Sequence, residues 1–216
     1  MWETILEYLY IIPAAALAIS LHEMSHGYMS YFLGDPTPKE QGRLSLNPIR
    51  HFDLVGFICL VLFRLGFAKP VRVNPYHYKN PKLGIALVAL AGPLMNFIIS
   101  TVSFFIFVVL LKFSDFKIIE IISNFLLYLG VLNLGLGLFN LIPIPPLDGS
   151  RILGAILPNE TYRKYMSYEK YGFFILLGLM ILSDILGEIT GIGSLFSEII
   201  FKIYSWIINV FMKIVY

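Results

Sequence analysis

From Leu83 to Leu111 the chain carries no charged residue, and that run narrows the folds open to it. As a helix it would be roughly 40 Å long at ~1.5 Å per residue, more than the ~30 Å hydrocarbon core of a bilayer. Further apolar runs cover Ile118–Ile142, Tyr171–Ile185 and Ile192–Val215. The composition agrees: 57% of residues are hydrophobic and 14% are charged, where soluble domains carry about 25% charged residues. An all-α polytopic membrane protein is expected, with residues 1–216 forming a single domain.

The pattern predicts a first helix from about Thr4 to Leu33, with Pro13 inside it and Gly34-Asp35-Pro36 as its stop. Its early charges are Glu3 and Glu7 rather than a basic cluster, so it reads as a retained membrane helix, not a signal peptide. Within 54–67 the apolar run is about half a span, which predicts a re-entrant segment. The stretches Arg43–Pro48 and Pro70–Pro75 alternate apolar and polar residues and each end in Asn-Pro. They predict a small membrane-associated β-hairpin. The net charge of +2 gives no support for nucleic-acid binding, and the single cysteine, Cys59, excludes a CxxC metal site.

Counting the half-span as non-crossing gives about five transmembrane helices. All Lys and Arg residues between 39 and 82 and between 151 and 170 then fall on one side. The positive-inside rule makes that side cytoplasmic, with the N-terminus outside and the C-terminus inside.

His22, Glu23 and His26, in "HEMSH", interrupt the first apolar helix. Ionisable groups cost a few kcal/mol each near a bilayer centre, so three in five positions call for a shared use. On a helix, residues four apart point about 40° from each other, one turn along. Two imidazoles so placed can bind one zinc ion, and Glu23 on the same broad face can act as general base. Zinc lowers the pKa of bound water towards ~7. A catalytic zinc needs a third protein ligand.

Asp148, in "NLIPIPPLDG", is the candidate for that ligand. Pro143, Pro145 and Pro146 forbid a regular helix before it, and such backbone at membrane depth must be buried in protein or line a cavity. His22 stands roughly 25 Å along its helix, so both ligand positions lie towards the cytoplasmic face. His51 and His77 sit among charged and turn residues and read as interfacial histidines.

H-E-x-x-H on the first helix, with Asn140, Pro143, Pro145, Leu147, Asp148 and Gly149 matching N-x-x-P-x-P-x-L-D-G, resembles the site-2 protease family of intramembrane zinc metalloproteases. "FAKPVRVNP" and "ALVALAGPLMN" are similar to stretches of its compact bacterial members, those without PDZ or CBS domains. The resemblance implies that His22, His26 and Asp148 ligate Zn2+ and that Glu23 is the general base. It also implies that Asn140 positions substrate or stabilises the oxyanion, and that Asn96 lines the substrate site. The substrate would be a transmembrane protein or peptide cut in or near its membrane segment. The alternative reading is a membrane metal-ion transporter or metal-binding scaffold, since intramembrane His and Asp also mark ion pathways. Glu23, held out of the coordination sphere, speaks for the protease. Oligomeric state and substrate identity stay open.

Overall fold

The computed structural model describes residues 2–51, 69–113, 116–190 and 194–216. The half-span expected within 54–67, and Cys59 with it, lies outside the described residues. Helix α1 covers Trp2–Phe32 and runs through Pro13 without ending. After a short α2 (Thr37–Glu40) come the long helices α3 (Pro81–Leu110) and α4 (Lys117–Asn140). Two short helices, α5 (Asp148–Gly154) and α6 (Asn159–Met166), lead to α7 (Glu169–Thr190) and α8 (Leu195–Val215).

Four helical stretches among the described residues are long and apolar enough to cross a membrane: Pro81–Phe113, Lys117–Asn140, Glu169–Glu188 and Leu195–Val215. The protein is a multi-pass α-helical membrane protein. Helix α1, which carries Glu7, His22, Glu23 and His26 among its apolar residues, is not among the four.

The core lies where α1, α3 and α4 pack on one another, with α5 laid against α3 and α8 against both α3 and α4. Its composition inverts the rule for soluble proteins. Helix α3 buries Gly84, Ala89, Gly92, Asn96 and Ser100, while Leu90, Leu94, Ile98 and Val102, spaced four apart, point outwards. Lipid tails are as apolar as leucine, so nothing drives large side chains inwards, and small residues let backbones approach closely. The glycines of α4 serve that approach: a Cβ at Gly130 would strike the Phe104 ring and one at Gly137 the Phe97 ring.

Helix α1 stops as its sequence predicts. Gly34 takes a left-handed conformation (φ 102°). The N–H groups of Gly34 and Asp35 return to the carbonyls of Tyr31 and Ser30, the hydrogen-bond pattern of a Schellman cap. The Asp35 side chain is fully enclosed. It accepts from the Ser30 hydroxyl (2.8 Å), the Thr37 N–H (3.0 Å) and the Asn74 N–H (2.7 Å). Burial works to raise its pKa, but these donors hold the carboxyl below its ordinary value. The segment after residue 68 is thereby fastened to the end of α1.

No strand occurs among the described residues, so the expected hairpin is not seen at 43–48 or 70–75. The two Asn-Pro stretches do share a structure. Asn47 and Asn74 each accept, through the side chain, from the N–H two residues on, and each opens a 3-10 turn (Pro48–Arg50 and Pro75–His77). Asn-Pro chemistry favoured the turn over the ladder.

Candidate metal centre

Helix α1 brings His22 and His26 to one face, with their rings 4.6 Å apart and perpendicular. Across from them stands Asp148, the first residue of α5 rather than part of the irregular segment before it. Gly149 makes that placement feasible: a Cβ there would lie 2.2 Å from the Leu141 carbonyl oxygen, so only glycine lets α5 nest against the end of α4. The proline segment is held in turn by Tyr165, whose hydroxyl donates to the Pro143 carbonyl at 2.5 Å. Gly172 of α7 packs directly on Pro145. Within this non-helical segment Pro145 is buried, whereas Leu141, Pro143 and Pro146 are exposed.

The Nε2 atoms of His22 and His26 are 3.0 Å apart, and Asp148 Oδ2 lies 3.2 and 3.3 Å from them. His26 Nδ1 sits 2.7 Å from the Val88 carbonyl and His22 Nδ1 2.5 Å from Asn96 Oδ1. A carbonyl oxygen can only accept, so both rings donate from Nδ1 and aim the Nε2 lone pair inwards. Asp148 Oδ2 is buried with no hydrogen-bond partner. Two imidazole Nε2 atoms and a carboxylate oxygen therefore converge on one point, a donor set suited to a shared cation. Bonds of ~2.0–2.1 Å in a tetrahedron set ligand atoms about 3.3 Å apart. The spacing and the donor set fit zinc. Among the described residues these three form the one His/Cys/Asp/Glu group close enough to share an ion.

Gly92 of α3 lies against both rings: a Cβ there would approach His26 Cε1 at 2.5 Å and His22 Cε1 at 2.6 Å. The Gly92-Pro93 pair reads in the sequence as a kink, but its glycine is the floor beneath the imidazoles. Glu23 remains outside the cluster, and its Oε2 accepts from the Val71 N–H at 3.2 Å.

Asn96 is fully buried, with its amide committed to His22, the Ala18 carbonyl (3.5 Å) and Asn133 Oδ1 (2.8 Å). The sequence reading set it against substrate, whereas its side chain faces the back of a ligand ring. Asn140, at the end of α4, is half-buried and donates to Leu136 O at 3.0 Å. Neither His51 nor His77 joins the cluster. His51 is fully buried, with Nε2 2.6 Å from the Ser45 carbonyl, and His77 lies 3.3 Å from Asp35. Asn133 escaped the sequence reading, although an asparagine set within the apolar stretch 125–139 of α4, two turns before Asn140, was the available signal.

A cavity of about 470 Å3 is lined by Ala15, Ala18 and Ile19 of α1, the stretch preceding His22, and by Leu136 and Phe139 of α4. Residues of α7 and α8, among them Leu179, Asp184 and Ile200, form its other walls.

A helical membrane bundle that converges two helix-borne histidines and an aspartate, with a glutamate beside them, defines the metallopeptidase class of site. Comparison with known proteins agrees. The sequence model of Peptidase family M50 matches residues 113–183. YwhC of Bacillus subtilis (strain 168) is 37% identical over 175 residues, covering 80% of each chain. Rip2 of Mycolicibacterium smegmatis (strain ATCC 700084 / mc(2)155) is 25% identical over 179 residues, 81% of this chain and 67% of its own. Zinc metalloprotease MJ0392 of Methanocaldococcus jannaschii is 49% identical over 83 residues, 38% of this chain and 22% of its own. All three bear zinc-metalloprotease names. No solved structure gives a significant match. The chain belongs to peptidase family M50, the site-2 protease family.

Proposed function

We propose that this zinc metalloprotease hydrolyses a peptide bond in or near a transmembrane segment of another membrane protein, and that residues 1–216 act as one catalytic domain. The observation that carries the reading is the convergence of His22 Nε2, His26 Nε2 and Asp148 Oδ2 inside a membrane bundle. These three would hold the zinc. When bound, the ion supplies Lewis acidity, activating a water and polarising the scissile carbonyl.

Glu23 takes the proton of the attacking water on its carboxylate and returns it to the leaving amine. Before substrate arrives, the Val71 N–H holds this carboxylate in place. Asn140 would donate its amide to the carbonyl oxygen as charge develops there, after releasing Leu136 O. A helical substrate hides its carbonyls in its own hydrogen bonds, so it must unwind locally. The apolar cavity beside Ala18 and Phe139 gives the unwound segment a place to lie. The backbone at 69–74, which forms no ladder among the described residues, offers it hydrogen-bond partners.

In the bilayer, α1 joins the four apolar spans to give five crossings, N-terminus outside and C-terminus cytoplasmic, with the centre towards the cytoplasmic face. The test is reconstitution of the full chain in proteoliposomes with a panel of single-span substrates. Cleavage within the span that is lost on chelation supports the reading. Zinc flux without proteolysis replaces it with the transporter.

A further inference from the structure

A chain of buried amides runs from α4 through α3 to a zinc-ligand ring on α1. Asn133 and Asn96 are both fully enclosed. Asn133 Nδ2 donates to the Leu129 carbonyl at 2.8 Å, one turn back on its own helix. A backbone carbonyl has no proton to give, so the NH2 end of Asn133 is fixed there and its Oδ1 must face Asn96. Oδ1 accepts from Asn96 Nδ2 at 2.8 Å. The Ala18 carbonyl, 3.5 Å from the same Nδ2, lies on the same side but at the outer limit of a hydrogen bond, so Asn133 is the contact that holds the amide. Asn96 therefore presents Oδ1, and only Oδ1, to His22 Nδ1 at 2.5 Å.

We infer that Asn133 is a positioning residue for the metal centre: it locks the Asn96 amide, which forces His22 to carry its proton on Nδ1 and leave Nε2 bare towards the metal. The polarity is set at the Leu129 carbonyl and transmitted through two amides. His26 does not depend on this relay, because the Val88 carbonyl fixes its ring directly. The two ligands are thus oriented by separate devices. Without Asn133, the Asn96 amide can turn over and offer NH2 to the ring, which favours the tautomer whose proton blocks the coordinating nitrogen.

The inference rests on the zinc reading for its consequence but not for its test. Full-length protein labelled with 15N-histidine is reconstituted in nanodiscs, and ring nitrogen shifts are read in the metal-free state. Zinc affinity is measured on the same preparation by chelator competition. In the wild type, His22 and His26 are both expected to be protonated at Nδ1. In Asn133→Leu, His22 becomes a mixture of tautomers while His26 is unmoved, and zinc binds about 10–100-fold more weakly, the usual effect of losing an outer-sphere partner.

Adding Asn96→Asp to Asn133→Leu should restore the His22 tautomer, because an aspartate accepts from His22 whatever stands at 133. A general loosening of the bundle would move both histidines and would not be rescued by a buried carboxyl. Wild-type His22 with an unprotonated Nδ1 overturns the inference with no variant needed. So does an Asn133→Leu protein with unchanged tautomer and affinity, one in which both rings shift alike, or a folded double variant without rescue. A protein that binds no zinc but shows the expected tautomers would overturn the protease reading and leave this one standing.

Discussion

Gly92 and His26 are packed so closely that a methyl group on the glycine would stand 2.5 Å from Cε1 of the imidazole. Alanine at 92 must therefore displace a ring that the Val88 carbonyl otherwise holds, and the His22 ring beside it. Overpacking of this kind typically costs ~1–3 kcal/mol, which a bundle of this size survives. Gly92→Ala is expected to insert and fold yet lose most of its zinc. Elemental analysis beside a thermal-unfolding curve checks both halves of that statement.

Asp148 supplies the one anionic ligand. Asp148→Ala keeps two imidazoles but loses the third ligand, and catalytic zinc sites use three. About one zinc per wild-type chain and strongly reduced occupancy in the variant are expected. His51 offers no substitute, since it does not join the group of His22, His26 and Asp148. Full metal retention by purified Asp148→Ala would transfer the third position to another residue.

Glu23→Gln separates chemistry from structure. Glutamine keeps an oxygen for the Val71 N–H but cannot take a proton from water at neutral pH. General-base assistance is typically worth ~10²–10⁴-fold. The expected protein is folded, zinc-loaded and able to capture substrate without cutting it. Cleavage at the wild-type rate with zinc bound would remove Glu23 from the mechanism.

Asp35 makes stability depend on acid. Its folded-state pKa is depressed by its hydrogen-bond donors acting against burial. Its contribution is therefore complete above the unfolded value of about 4 and is lost as pH falls through the lower folded value. Thermal stability should stay level on this account from neutral pH to about 4 and then fall. Asp35→Asn keeps one acceptor and loses the other, for a loss on the order of 1–3 kcal/mol at neutral pH. It should also flatten the acid limb. An unchanged pH profile in the variant would assign that limb elsewhere.

The membrane orientation can be read with two exposed positions, Lys79 and Asp184. Single cysteines there, in a Cys59→Ser background, should react with an impermeant reagent from opposite sides, Lys79 from the cytoplasm. Reaction of both from one side would break the five-crossing arrangement.

The sequence was most informative where a residue's cost had to be justified. Histidines inside an apolar helix and prolines before Asp148 pointed to the cluster that the fold assembles, because such residues are expensive in a membrane without a use. Helix ends were legible to within a few residues: Gly34-Asp35-Pro36 stops α1, and the apolar run expected to reach Ile142 ends as a helix at Asn140. Long-range relationships were hidden. Nothing near Gly92 in the chain says that two rings from α1 will lie upon it, and a glycine before a proline looks like a hinge. Asn96 looked like a substrate contact because its partner, Asn133, lies on another helix. The Asn-Pro stretches looked like strand ends because alternation is visible along a sequence, whereas a side chain folding back on its own backbone is not.

The ligands of the metal centre also fix an order of events in the life of the protein. His22 and His26 emerge from the ribosome early, and Asp148 follows only after α3 and α4 have been made. A chain that has inserted its first helices holds His22, Glu23 and His26 but lacks Asp148, the proposed third ligand, whose neighbour Gly149 nests against the end of α4. On the proposed assignment, a complete ligand set waits for tertiary assembly. For a protease synthesised amid a crowd of membrane helices, late completion of the centre acts as a safety catch.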